Sequence, residues 1–325
     1  MAEIEEKVRD IERLITLDIG GRGIIQPLYE SAFSAQGGYP SLLAAREIEE
    51  KLSEGGLALI TTGFLVPPIF IQETDGPIGA ISLAGGLDQF SGVNSLIVAE
   101  KETLPIIKAV GYAHGLNVVQ PEDIRKGKHA LALIEFPIEK ASASERAKEI
   151  IEKYSPSLII SVEKVGANEA KIYHNMRGYN ISEHAAKIEY LLDEARKRGI
   201  PIIGIGDGGN EVGMGKIKER VKEVVPYGAR CQCECQKGIA ADFEADILVV
   251  ATVSNWGAHA IIAALSLLAG RDLLHSSATE EKMLLAAASQ GAIDAMSGYA
   301  NGDCDGVSLA SHAGILQILK EIIRS

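Results

Sequence analysis

The sequence has no long apolar run. Its longest clearly apolar stretch, Ala260 to Ala269, is about half of what a helix needs to cross a bilayer, which argues against a membrane span. Basic charge is also short. Lys and Arg number 32 against 44 Asp and Glu, a formal net charge of −12, so neither nucleic acid nor an anionic membrane is expected as the main partner. A secretory signal is not visible, because Met1 to Arg13 is charged and helix-like, and the expected location is the cytoplasm. Cysteines number four. Cys231, Cys233 and Cys235 alternate, which places them on one side of an extended segment, and bridges at that spacing are geometrically awkward. A thiolate metal site would need a fourth ligand, such as Cys304, and the spacing fits no zinc pattern, so free reduced thiols are expected. Familiar catalytic signatures are absent too: no nucleophile elbow and no H-x-x-x-H pair occur. His259 could face either a site or the core.

What is present is a chain of 325 residues, 46% of them hydrophobic, enough for a large core. Helical periodicity marks Ile4 to Thr16 and Leu42 to Leu52. Strand-like runs follow at Leu57–Thr61, Ser95–Ala99, Leu116–Val119, Ala130–Phe136, Leu158–Val162, Pro201–Ile205 and Ile247–Ala251. Between and after them lie helical patterns at Leu104–Ala113, Ser144–Lys153, His184–Arg198, Lys216–Val224, His259–Ala269, Glu280–Gln290 and Ala313–Ile323. Alternation of this kind predicts an α/β fold with a largely parallel sheet flanked by helices, in Rossmann-like layers. Uniformly apolar strands suit a sheet covered on both faces. With no low-complexity linker and no repeat, 1–325 reads as a single domain, with a helical N-terminal segment over 1–55 and an α/β core over 56–325. Whether the alanine-rich Ala258–Ala269 packs in that core or across a homo-oligomer stays open.

Ligands of such sheets bind beyond the carboxyl ends of the strands. The polar motifs gather there. One strand leads to Thr62-Gly63-Phe64 and Glu73-Thr74-Asp75-Gly76-Pro77, another to Glu163 and His174-Asn175-Met176-Arg177-Gly178. A third leads to Gly206-Asp207-Gly208-Gly209-Asn210-Glu211-Val212-Gly213-Met214-Gly215-Lys216, and a fourth to Val253-Ser254-Asn255-Trp256-Gly257. The third loop is the most informative, since a packed core has no need of glycines mixed with acids, an amide and a lysine. It fits neither nucleotide pattern. A Walker A loop would need Gly where Asn210 stands and Ser or Thr where Ile217 stands; the dinucleotide fingerprint would need Gly where Glu211 stands. No nucleotide cofactor is therefore expected.

The residues of these loops suggest chemistry. Glu73 with Asp75, and Asp207 with Glu211, could act as acid and base or ligate a divalent metal. Asp75 before Gly76-Pro77 could instead cap a helix. Asn210 could donate to a developing negative charge. Arg177 offers a fork for a carboxylate, or makes a surface ion pair. Asn255 is a candidate N-cap or a ligand contact. Lys216 points at an anion or lies on a solvated face. Trp256 walls the pocket or fills core.

In this order, the four loops resemble the D-glutamate cyclase family, as do Lys282-Met283 through Gly291, Ser297-Gly298 and Asp305-Gly306-Val307. The resemblance covers roughly residues 40 to 320, and the Gly-rich loop is its most specific part. Cys231–Gly238 departs from the family pattern in being longer and richer in cysteine, and Lys164–Asn168 matches it loosely. The resemblance implies a hydro-lyase that converts D-glutamate to 5-oxo-D-proline and water. That chemistry needs a base for the α-amine and a proton or Lewis acid for the γ-carboxylate. The expected roles are base for Asp207/Glu211 and acid or metal ligand for Glu73/Asp75, with oxyanion contacts from Asn210 or Asn255. Thr62, Gly63, Asn175, Arg177, Gly208, Gly209, Ser254 and Asn255 would bind substrate. Asp75 and Asp207 are the candidate ligands of a divalent metal, Mg or Mn. The rival readings are a metal-dependent enzyme on another small carboxylate or phosphate compound, and a protein that binds an amino acid without turning it over.

Overall fold

The computed structural model describes residues 2–325. Nine strands form: β1 (Leu57–Gly63), β2 (Leu65–Val66), β3 (Ile71–Gln72), β4 (Asn94–Ala99), β5 (Asn117–Val119), β6 (Ala130–Glu135), β7 (Leu158–Lys164), β8 (Ile202–Gly206) and β9 (Ile247–Val250). The helices are α1 (Ala2–Ile15), α2 (Ile25–Gln36), α3 (Pro40–Leu52), α4 (Pro77–Ser91), α5 (Leu104–His114), α6 (Lys140–Tyr154), α7 (Glu189–Lys197), α8 (Lys218–Val224), α9 (Ser254–Ala269), α10 (Ser277–Ser289) and α11 (Leu309–Arg324). All seven expected strands pair into one parallel sheet in the order β5-β6-β4-β1-β7-β8-β9. β2 and β3 make a separate antiparallel pair.

The strands are buried on both faces because alternate side chains feed different apolar layers. Ile60, Ile97, Ile160 and Ile203 face α4 and α9, while Leu59, Leu96, Ile159 and Ile202 face α6 and α7. The strand order reverses next to β1: the chain moves outward through β4 and β6 on one side, then continues through β7 and β8 on the other. In parallel sheets, ligands bind at such a reversal, which here lies at the carboxyl ends of β1 and β7.

The helical N-terminal segment is α1 to α3. The stretch between α1 and α2 is anchored beyond β9, where Thr252 N–H donates to the Ile15 carbonyl (2.8 Å) and its hydroxyl to that of Leu17 (2.7 Å). Several expected helices begin a few residues early, α6 at Lys140 and α11 at Leu309, and three change more. The one over His184–Arg198 starts only at Glu189, because Glu100 takes the Ala186 N–H (2.9 Å) and the Lys187 ammonium takes the carbonyls of Ser182 and Ala185. The one over Lys216–Val224 breaks into a 3₁₀ turn, Gly215–Ile217, and α8. α9 begins at Ser254, five residues before His259. No helix among the described residues is long and apolar enough to cross a membrane.

Candidate active site

Six carboxyl groups converge at the switch point. Glu73 and Asp75 follow β3, Glu163 ends β7, and Asp207 and Glu211 lie in the loop after β8; all five are buried. Asp305, between α10 and α11, joins them electrostatically. The cation among them is Arg22, whose guanidinium pairs with the Asp207 carboxylate and also donates to the Asp207 carbonyl at 3.3 Å. The N-terminal segment therefore delivers a charge to the site.

The Gly-rich loop folds onto itself. Glu211 accepts the Gly208 N–H (2.8 Å) with one oxygen and the Gly209 N–H (2.7 Å) with the other. Gly209 holds φ +104°, a conformation that excludes other residues at low cost. These two amides, expected to hold substrate, are thus consumed by Glu211. The Asn210 amide N–H donates to the His174 carbonyl (2.9 Å), so it is not a free oxyanion donor; its carbonyl oxygen is buried without a partner.

Asp75 and Asn255 exchange caps. Asp75 accepts the N–H groups of Ser254 and Asn255 (both 2.8 Å) at the start of α9, and of Gly76 (3.0 Å). The Asn255 side-chain oxygen accepts from Gly76 (3.0 Å) and Gly79 (2.6 Å) at the start of α4. Each helix is capped by the residue expected to serve the other. The two positive helix ends thus meet at Asp75. Asn255 has no side-chain oxygen left for substrate. Ser254 donates its hydroxyl to Glu163 (2.5 Å), and Glu163 holds φ +42°, a left-handed conformation that is uncommon for such a residue and concentrates at functional sites.

Beneath the site, Lys164 and Glu100 form a fully buried ion pair, and Lys164 also donates to the Gly63 carbonyl (3.1 Å). Gly63, at φ +115°, packs against Glu100 and Thr103, a backbone role. The Thr62 hydroxyl beside Gly76 is buried without a partner.

Burial and mutual repulsion shape the protonation states. Desolvation, then the charge of Asp75, drives the Glu73 carboxyl well above the usual range. Asp75 is pushed up to about 7 by burial and Asp207, against the opposing pull of its three backbone N–H groups. Glu163 and Asp305 are raised well above normal by burial and by neighbouring carboxylates. Glu211 is raised to about 8 by burial and Asp207. Glu73, Asp75, Glu163, Glu211 and Asp305 are therefore acids whose proton affinity is raised toward or above neutral pH.

Other expected residues make contacts of their own. The Asn175 side-chain oxygen accepts the N–H groups of Arg177 (3.1 Å) and Tyr179 (3.0 Å), closing a turn. Arg177 is exposed and makes no ion pair among the described residues. Lys216 shares a surface depression with Glu47 and Asp246. Trp256 fills core and donates to His312 (2.8 Å), and His259 is buried next to Glu280. Cys304 lies against Asp75 and Asp305, far from a role as fourth ligand to the other cysteines. Three site residues escaped the sequence. Glu163 had a signal, since it directly follows an apolar strand. Asp305 sat in a resembling motif without being singled out. Arg22 had none.

Comparison with known proteins bears on this geometry. The sequence pattern of the family described as D-glutamate cyclase-like, C-terminal, matches residues 11–320. The chain belongs to that family. Human mitochondrial D-glutamate cyclase is 32% identical over 277 residues, which are 81% of this chain and 39% of that protein. The chain thus spans about two fifths of the length of that relative. The D-glutamate cyclase-like match takes in every carboxyl group of the site and Arg22.

Proposed function

We propose that the chain is a D-glutamate cyclase-like hydro-lyase that closes D-glutamate to 5-oxo-D-proline. The observation that carries the reading is the convergence of buried, proton-holding acids at the sheet switch point in a chain of this family. In the reaction the amine nitrogen bonds to the γ-carboxyl carbon and one carbon–oxygen bond breaks. The ammonium loses two protons, and the departing oxygen gains two to leave as water. No net proton is consumed, so the site must move protons from nitrogen to oxygen. A coupled set of acids with raised proton affinity is suited to that relay.

Asp207 takes protons from the amine, and Glu211, whose two oxygens accept the Gly208 and Gly209 N–H groups, positions the loop that carries it. Glu73 gives one to the leaving oxygen, since its carboxyl makes no hydrogen bond within the described chain, whereas both Asp75 oxygens are engaged by backbone. Asp75 is therefore a positioning residue. The unpartnered Asn210 oxygen suits the substrate ammonium, and the Thr62 hydroxyl one of its carboxylates. Folding the substrate so that amine and carboxyl meet is an entropy cost that an enclosed site removes.

A dicarboxylate entering this site meets strong repulsion unless protons or a cation offset it. Glu163, Asp207 and Glu211 carry oxygens within 4.8 Å of one another, an all-carboxylate set of the kind that suits Mg²⁺ or Mn²⁺. Asp75, the other expected ligand, falls in a separate group with Cys304 and Asp305. A cation held by the first group would supply compensating charge and polarise the γ-carboxyl. The test is turnover of D-glutamate by wild type and Asp207→Asn, with circular dichroism as the fold control. A loss of about 10²-fold or more in a folded variant is expected. Near-normal turnover would remove Asp207 from the mechanism.

A further inference from the structure

A second cluster lies outside the carboxylate site and plays no part in the reaction above. Cys231, Cys233 and Cys235 do not lie along an extended strand. They sit in an irregular turn between α8 and β9, so their sulfurs converge instead of merely sharing one side. Cys231 Sγ is 3.5 Å from Cys233 Sγ and 3.3 Å from Cys235 Sγ. The fourth member comes from another loop: His174 Nε2 is 3.1 Å from Cys233 Sγ and 3.7 Å from Cys235 Sγ. All four atoms lie within 4.8 Å of one another.

These distances, 3.1–3.7 Å, are within a few tenths of an ångström of a coordination shell. Metal–sulfur bonds of about 2.3 Å and metal–nitrogen bonds of about 2.0 Å in a tetrahedron separate the ligand atoms by roughly 3.5–3.8 Å. We propose that His174, Cys231, Cys233 and Cys235 bind one zinc-class ion. Three sulfurs and one imidazole are the donor set for such an ion, and an iron–sulfur cluster would need thiolates spaced more widely than these.

The site is structural, because all four positions are filled by the protein and none is open to substrate. Outer contacts support the cysteine side of the site. The Asn168 amide donates to Cys235 Sγ (3.5 Å) and to the Gly238 carbonyl (2.8 Å), and the Gln236 amide donates to the Cys233 carbonyl (2.6 Å). The ion ties the His174 loop to the cysteine loop, alongside the bond from Gln232 N–H to the Gly178 carbonyl (2.9 Å). It also reaches the candidate active site indirectly, since the carbonyl of His174 is the acceptor that fixes Asn210. Cys231–Gly238, the segment that departs from the family pattern, thereby gains a function.

The test is metal content and spectroscopy on the full chain, purified under reductant without chelator from zinc-supplemented culture. One zinc per chain is expected, with Cys231, Cys233 and Cys235 unreactive to a thiol reagent until a chelator is added. Replacing zinc with Co²⁺ should give tetrahedral d–d bands and thiolate-to-cobalt charge transfer. A carboxylate-bound Co²⁺ cannot produce the latter. Cys233→Ser and Cys235→Ser, at partly exposed positions, should remove both zinc and the charge-transfer band. Folded wild type whose three thiols react equally with and without added zinc, and which shows no charge transfer with Co²⁺, would overturn the proposal. So would a Cys231–Cys235 disulfide in protein kept reduced throughout.

Discussion

Asn255 gives the sharpest stability prediction, because its role in the structure differs from the role its sequence suggests. Replacing it with Ala removes the acceptor of the Gly76 and Gly79 N–H groups, both buried. A buried donor left unsatisfied costs about 1–3 kcal/mol. Asp75 still takes the Gly76 N–H at 3.0 Å, so one of the two losses is partial. The expected cost is about 2–4 kcal/mol. With an unfolding entropy of roughly 2.1 cal/mol/K per residue over 325 residues, the melting temperature should fall by about 3–6 °C. Asn255→Asp separates the cap from the charge. It keeps the acceptor but adds a carboxyl beside Asp75 in a fully buried position. That carboxyl is expected to have a raised pKa in the folded state, so its penalty grows as pH rises. The variant should lie near wild type at pH 5.5 and well below it at pH 8. Near-UV circular dichroism melts at both pH values, with chelator present, provide the measurement. Asn255→Ala melting within 1 °C of wild type, or Asn255→Asp showing the same deficit at both pH values, would refute the exchange of caps.

Two further outcomes are expected. Lys164→Met leaves Glu100 buried without its partner and should cost about 3–5 kcal/mol in urea unfolding, with part recovered in Lys164→Met/Glu100→Gln. Glu12, on the buried face of α1, accepts from the Ser41 N–H and hydroxyl, and burial pushes it up to about 7. Since the folded value is raised, its contribution is fully present below pH 4.5 and lost as pH rises through 7. Glu12→Gln removes that loss, so its stability relative to wild type should improve by about 3 kcal/mol between pH 4.5 and 8, as measured by urea titration.

The parallel sheet was legible because its strands are uniformly apolar and bounded by polar loops, a pattern that needs no tertiary context. Asp207 and Glu211 were legible because they follow one of those strands among glycines, and Glu73 and Asp75 because they form an acid pair before a Gly-Pro turn. What local reading could not see was which group each polar atom would meet. Asp75 and Asn255 each look like the cap of the helix they precede, and only the meeting of α4 and α9 reveals the exchange. Gly208 and Gly209 look like free anion-binding amides until Glu211 turns back onto them. Arg22 depends on where the contacts of Thr252 with Ile15 and Leu17 carry the chain, and His174 on a loop remote in sequence from the cysteines. These are long-range pairings, and periodicity carries no information about them.

The central claim is that these acids close D-glutamate. It is tested most directly by NMR of the purified protein with D-glutamate and, separately, L-glutamate, after chelation and again with Mg²⁺ or Mn²⁺ restored. The account predicts enzyme-dependent 5-oxoproline from the D form, faster with cation present. Folded protein that forms no 5-oxoproline from either isomer under any of these conditions would contradict it.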